Sequence, residues 1–175
     1  MKSNIALVGF MGAGKTAVGK VLAEKLNKEF IETDTLIEQK AGKSIPEIFQ
    51  QDGEIAFREL EIEVTKEVSI NKNLVIACGG GLVLNKINID RLKKESIIVY
   101  LTASPRIILK RVLNEEEKRP LLSTPDKAFS IRELLRFRKP FYERAADITI
   151  NTSKLDIDSV VEQIINRLKE VESFN

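Results

Sequence analysis

The sequence predicts an α/β fold of three layers, α/β/α, with a five-stranded parallel sheet covered by helices on both faces. Three observations carry this. Short apolar runs alternate with longer amphipathic stretches from one end of the chain to the other, the pattern of repeated strand–helix units. The first apolar run leads into Gly9-Phe10-Met11-Gly12-Ala13-Gly14-Lys15-Thr16, which fits G-x-x-x-x-G-K-[ST], so that strand, phosphate-binding loop and helix follow in the order this loop requires. The 175 residues contain no internal repeat or low-complexity linker, and that length suits one domain over residues 1–175 with a substantial core.

The elements follow in order. Ile5-Ala6-Leu7-Val8 reads as a buried parallel strand, and Val18, Val21, Leu22 and Leu26 mark one face of the helix after the loop. In the loop, glycines turn backbone N–H groups inward around phosphate, Lys15 meets the β- and γ-phosphates of a nucleotide, and the Thr16 hydroxyl ligates Mg²⁺. Glu29-Phe30-Ile31-Glu32-Thr33 is a second strand whose end delivers Asp34. Asp34 then either points into the crevice beyond the strand ends or caps the helix that follows. Gly42 closes that helix, and Ser44-Ile45-Pro46-Glu47 opens the next as a capping box. A helical region then runs past Phe49 to Val64 with a break at Gly53; it places Phe57 and Glu61 on one face and Arg58 beside them. Core packing accounts for Phe49 and Phe57, and a solvated ion pair for Arg58 with Glu61.

Leu74-Val75-Ile76-Ala77-Cys78 is a third strand, ending in Gly79-Gly80-Gly81. Three consecutive glycines are entropically costly, so either a close approach or positive φ is required there, for a ligand or for a sharp turn. Ile97-Ile98-Val99-Tyr100-Leu101 is a fourth strand, with Ser104-Pro105 starting a helix through Val112. The charged, proline-containing stretch at 113–124 has the character of a lid or of an ordinary surface loop. A long helix around Ile131, Leu134, Leu135 and Phe141 passes through Pro140, Ile148-Thr149-Ile150 is a fifth strand, and Val160, Val161, Ile164, Ile165 and Leu168 line a final amphipathic helix.

Composition excludes several chemistries. The chain has no histidine, so His-based triads are out and proton transfer falls to a carboxylate, Lys or Tyr. The one cysteine, Cys78, precludes an internal disulfide and a Cys/His metal site. The 28 basic and 26 acidic residues are interspersed, for a net charge of +2, which gives no reason to expect nucleic acid as a partner. No apolar run approaches a membrane span and no signal-peptide pattern is present, so the chain reads as a cytoplasmic protein without a membrane partner; a monomer is expected.

Taken together, Gly9 to Thr16, Thr33-Asp34, Ser44-Ile45, Ile48-Phe49, Gly53-Glu54, Phe57-Arg58, Glu61, Gly79-Gly80-Gly81, Arg119-Pro120-Leu121-Leu122 and Arg138-Lys139-Pro140-Phe141-Tyr142 resemble the shikimate kinase family, in order and spacing, over essentially the whole chain. The resemblance implies a nucleoside-monophosphate-kinase-like fold with strand order 2-3-1-4-5. It also implies ATP-dependent phosphorylation of the 3-hydroxyl of shikimate, giving shikimate 3-phosphate and ADP on the way to chorismate and the aromatic amino acids.

By resemblance, Asp34 orients the shikimate hydroxyl and accepts its proton, and Arg58 and Arg138 hold the carboxylate, a task suited to planar bidentate donors. Glu61 then steadies Arg58, Gly79, Gly80 and Gly81 admit the substrate to the backbone, and Phe49 and Phe57 pack its ring. Gly12, Ala13, Gly14, Lys15, Thr16 and Ala17 hold the ATP phosphates, with Lys15, Asp34 and Arg119 as the catalytic set. Arg119 in the lid closes over the transferred group. Arg111 stacks on adenine, with residues 151–154, including Asn151 and Ser153, as the adenine loop. One departure stands out: the family's Asp-x-Asp is here Glu32-Thr33-Asp34. Glu32 keeps the charge that reaches Mg²⁺ through water, on a longer arm. A gluconate or nucleoside monophosphate kinase, or an inactive nucleotide-binding module, are the rival readings. The Phe49/Phe57 and Arg58/Arg138 sets suit a small cyclic carboxylate better than either other acceptor.

Overall fold

The fold grows outward from β1 (Asn4–Val8), whose five residues are all buried. A computed structural model describes residues 1–113, 126–171 and 174. β1 pairs in parallel with β3 (Leu74–Ala77) on one side and β4 (Ser96–Thr102) on the other. β2 (Glu29–Glu32) and β5 (Ile148–Asn151) form the edges, giving one parallel sheet in the order β2-β3-β1-β4-β5. Parallel pairing requires crossovers, and here helices supply them.

Alternation along the strands sorts the core into two layers. Ile5, Leu7, Val75, Ile97 and Val99 face α1 (Lys15–Leu26) and α8 (Ile157–Lys169). Ala6, Val8, Ile76, Ile98 and Tyr100 face the opposite layer. That layer comprises α2 (Thr33–Ala41), α3 (Ile45–Gln51), α4 (Gly53–Val68), α5 (Lys86–Glu95), α6 (Pro105–Leu113) and α7 (Lys127–Ala145). The three interior strands, β3, β1 and β4, bury both faces, which is why they read as continuous apolar runs. No helix among the described residues is long and apolar enough to cross a membrane.

Local signals explain most boundaries. Gly42 ends α2 at φ 69°, and the Ser44–Glu47 capping box opens α3, with Ser44 N–H donating to Glu47 Oε2 at 2.9 Å and Glu47 N–H to Ser44 Oγ at 3.3 Å. Gly53 at φ 89° breaks the region into α3 and α4 as the sequence suggests. Two boundaries shift. β2 stops at Glu32, so Thr33 and Asp34 already belong to the first turn of α2, whose cap position is Glu32. β3 stops at Ala77; the Cys78 N–H still bonds Leu7 O at 3.0 Å. The lid segment lies almost wholly outside the described residues, and with it Arg119 and the Pro120-Leu121-Leu122 that follows it.

Candidate active site

The carboxyl ends of β1, β2 and β3 open into a cleft of about 730 Å³ whose walls include Gly12 to Ala17, Glu32, Asp34, Cys78 to Gly80, Arg111 and Thr152. Its floor is the loop after β1. Gly12 (φ 78°) and Gly14 (φ 96°) hold left-handed backbone that a side chain would strain. Gly14 sits at the cap of α1 without a side-chain cap, so the first N–H groups of that helix face the cleft with the positive end of its dipole. Lys15 folds back over the loop, its Nζ donating to Gly9 O at 2.6 Å and Phe10 O at 3.0 Å. Thr16 and Ala17 are exposed at the helix start.

One wall is held by Arg111 from α6. Its guanidinium donates to Gly12 O at 2.9 Å and to Thr152 O at 3.4 Å, tying the loop to the end of β5. Thr152, buried at 3%, returns a bond to Ala13 O at 3.4 Å. Asn151 Oδ1 and Ser153 Oγ accept from backbone N–H groups within this corner, at 2.9 and 2.8 Å. Neither residue lines the cleft itself; Thr152 and Leu155 do.

On the opposite side, Gly79-Gly80-Gly81 forms the hinge between β3 and a short 3₁₀ turn, Leu82–Leu84. None of the three has positive φ. Close approach is what demands glycine here. A Cβ on Gly79 would lie 2.5 Å from Asp34 Oδ1, one on Gly80 3.2 Å from Arg138 Nη1, and one on Gly81 2.5 Å from both Arg58 terminal nitrogens. The glycines thus gather the three predicted acceptor residues from α2, α4 and α7 around one loop.

Arg58 and Glu61 form a 3.0 Å ion pair, and Glu61 is 1% exposed, so the pair is not the solvated surface contact that spacing alone allows. Burial pushes the Glu61 carboxyl up to about 7 against the pull of Arg58, and the charge of Asp34 adds to the rise. Arg138 is 2% exposed, its guanidinium 5.8 Å from the ring centre of Phe10 in the loop after β1. Its Nε has no hydrogen-bond partner among the described residues, while its charge acts on Glu61 and on the Tyr142 phenol. Phe49 and Phe57 pack against each other at 4.8 Å within the core layer, as periodicity alone suggests. Cys78 lies on the cleft wall, but burial raises its thiol to about 12, so it remains a neutral wall.

Thr33, Thr152 and Tyr142 fall within the motifs and loop read from the sequence, but no role was read for their side chains. Thr33 Oγ1 accepts from the Gly79 N–H at 2.9 Å, and Tyr142 Oη donates to Gly80 O at 2.5 Å. Each acts on a distant backbone group, which leaves no local pattern to read.

A sheet of order β2-β3-β1-β4-β5 with a phosphate loop after β1, a carboxylate across the cleft and two arginines beside it defines a P-loop small-molecule kinase. Comparison with known proteins narrows the class. The model of the shikimate kinase family matches residues 11–169. The shikimate kinase of Caldanaerobacter subterraneus subsp. tengcongensis is 49% identical over 162 residues, covering 93% of this chain and 94% of that protein. That of Pelotomaculum thermopropionicum is 44% identical, covering 95% and 96%. The structure of the Acinetobacter baumannii shikimate kinase in complex with shikimate superposes with a TM-score of 0.93 at 38% identity, over 99% of this chain and 96% of that one. The chain belongs to the shikimate kinase family, enzymes of ATP-dependent phosphoryl transfer to shikimate in aromatic biosynthesis.

Proposed function

We propose that this chain transfers the γ-phosphoryl group of ATP to the 3-hydroxyl of shikimate, with the donor held by the loop after β1 and the acceptor by the glycine hinge after β3. The observation that carries this reading is the gathering of Asp34, Arg58 and Arg138 around Gly79-Gly80-Gly81 at the edge of the cleft that Lys15 and Thr16 line. Phosphoryl transfer asks a protein for positioning and charge neutralisation above all. Lys15 and the N–H groups from Gly12 to Ala17 take the phosphates. Adenine lies at the corner built by Arg111, Asn151, Thr152 and Ser153. Arg58 and Arg138 clamp the shikimate carboxylate, Glu61 steadies Arg58, and Phe49 and Phe57 back the ring side.

Asp34 accepts the proton of the 3-hydroxyl as its oxygen bonds to the γ-phosphorus. The bond from that phosphorus to the bridging oxygen breaks, and its electron pair leaves on ADP. Arg119, outside the described residues, takes charge on the transferred group from the lid side.

The residues fit Mg²⁺. Thr16, Glu32 and Asp34 offer only oxygen donors in the cleft. Glu32 Oε1 is buried without a hydrogen-bond partner, while Oε2 accepts from Thr35 Oγ1 at 3.2 Å. No group of three or more acidic or thiol side chains gathers among the described residues, consistent with an ion that keeps waters and phosphate oxygens as ligands. Thr16 would hold the ion directly and Glu32 through water; when bound it neutralises charge on the β- and γ-phosphates. In this reading the enzyme works as a cytoplasmic monomer.

A coupled assay for ADP release tests the proposal. Shikimate should stimulate ATP turnover, and gluconate and nucleoside monophosphates should not. Turnover driven by either of those and not by shikimate would overturn it.

A further inference from the structure

The hinge Gly79-Gly80-Gly81 allows a complete account of its backbone groups. Gly79 N–H donates to Thr33 Oγ1 at 2.9 Å; Gly79 O accepts from Leu82 N at 3.1 Å and Gly81 O from Leu84 N at 3.1 Å. Gly80 O accepts from Tyr142 Oη at 2.5 Å. What remains are the N–H groups of Gly80 and Gly81, which have no partner among the described residues. Gly81 is buried and Gly80 half-buried on the cleft wall, so these donors need a partner from the protein or from the cleft, and the two residues lie beside Arg138 and Arg58.

We infer that Thr33 and Tyr142 are positioning residues that lock the hinge from its two ends, so that the Gly80 and Gly81 N–H groups stay aimed at the acceptor substrate. The inference rests on the acceptor site proposed above. Thr33 is fully buried at the start of α2, one residue before Asp34, so its bond sets the hinge against the carboxylate. Tyr142 is fully buried on α7, one turn after Arg138, so its bond sets the hinge against that guanidinium. The Tyr142 ring stacks on Tyr100 of β4, with centroids 5.1 Å apart at 20°, which fixes the phenol without help from the hinge. Burial also raises the phenol above its ordinary pKa, so it remains a donor through neutral pH. The two side chains have no reaction to perform. They place peptide groups.

The test uses Tyr142→Phe, which keeps the ring stack, and the pair Thr33→Val and Thr33→Ser, which differ in whether the acceptor oxygen survives. Loss of one such bond corresponds to about a 3- to 10-fold weaker KM and Kd for shikimate. The KM for ATP should hold in Tyr142→Phe and Thr33→Val, and Thr33→Ser should recover the wild-type value. Amide hydrogen exchange at Gly79, Gly80 and Gly81 should rise in Tyr142→Phe and Thr33→Val while the rest of the sheet keeps its protection. Wild-type shikimate and ATP constants in both Tyr142→Phe and Thr33→Val would overturn the inference, as would equal weakening of both substrates. If the wild-type chain fails to turn over shikimate, the reading of its function falls, and hinge exchange still decides this one: faster exchange confined to 79–81 supports the lock, and unchanged exchange refutes it.

Discussion

In a chain without histidine, several groups in and beside the cleft that could take a proton can be weighed by their surroundings. Lys15 is held by two loop carbonyls, Glu61 is committed to Arg58, and the Tyr142 phenol is buried with its pKa raised. Asp34 stands in the first turn of α2 and lines the cleft with the phosphate loop. We therefore expect Asp34→Asn to lower kcat by about 10² or more with the ATP Kd little changed, as for loss of a positioned base. Stopped-flow or steady-state turnover alongside nucleotide titration checks this, and unchanged turnover removes Asp34 from the mechanism. Glu61 makes a different prediction. Its folded pKa of about 7 exceeds the ordinary 4.5 because burial disfavours the charge. A raised acid binds its proton more tightly when folded, so its contribution is full below the unfolded pKa and is lost as pH rises through the folded one. That window carries up to about 3 kcal/mol. Melting temperature should fall between about pH 5 and pH 7 in the wild type, and Glu61→Gln should flatten that slope. A slope that persists in the variant belongs to another group.

At the scale of elements, the hinge shows what was legible and what was not. The glycine triplet announces a special demand, but whether φ or contact makes it is decided by α2, α4 and α7, elements far apart in the chain. Arg58 and Arg138 could be placed on one ligand only through family resemblance, because no periodicity links two helices about eighty residues apart in the chain. The phosphate loop was readable alone because all its parts are contiguous. Arg111 was assigned to the nucleotide only by resemblance, and its bonds to Gly12 O and Thr152 O join segments far apart in the chain and left no local pattern. Gly81→Ala tests the contact reading of the hinge. The new methyl would meet the Arg58 guanidinium at 2.5 Å, and the flexible end of Arg58 gives way more readily than the backbone. The fold should therefore survive while shikimate binding weakens about tenfold or more through displacement of a charge-assisted contact. ATP affinity should hold. Calorimetric titration of each substrate separates the two, and an unchanged shikimate Kd would detach Arg58 from the acceptor.

Across the whole molecule, the donor and acceptor sides are built on different strands but meet at one side chain. Fold class and strand order followed from alternation and resemblance, because apolar strands buried on both faces leave an unmistakable mark. The meeting point left none: Phe10 reads as a variable residue inside the phosphate loop. In the structure it is 1% exposed, Lys15 Nζ bonds its carbonyl at 3.0 Å, and Arg138 lies over its ring at 5.8 Å. On the function proposed above, its backbone serves the ATP side and its ring the shikimate side. Phe10→Leu keeps an apolar residue of similar reach but removes the aromatic face under the guanidinium, a contact worth about 0.5–1 kcal/mol or more when desolvated. Shikimate affinity should fall about 2- to 5-fold. Binding of one substrate should also change the affinity for the other less than in the wild type, since coupling requires an element that both sites bias. Lys15→Met provides the contrast, because it removes the phosphate contact without touching the ring: ATP binding should be lost and the shikimate Kd kept. If Lys15→Met weakened shikimate as much as Phe10→Leu does, the loop would be acting as one body and Phe10 would hold no separate place in it.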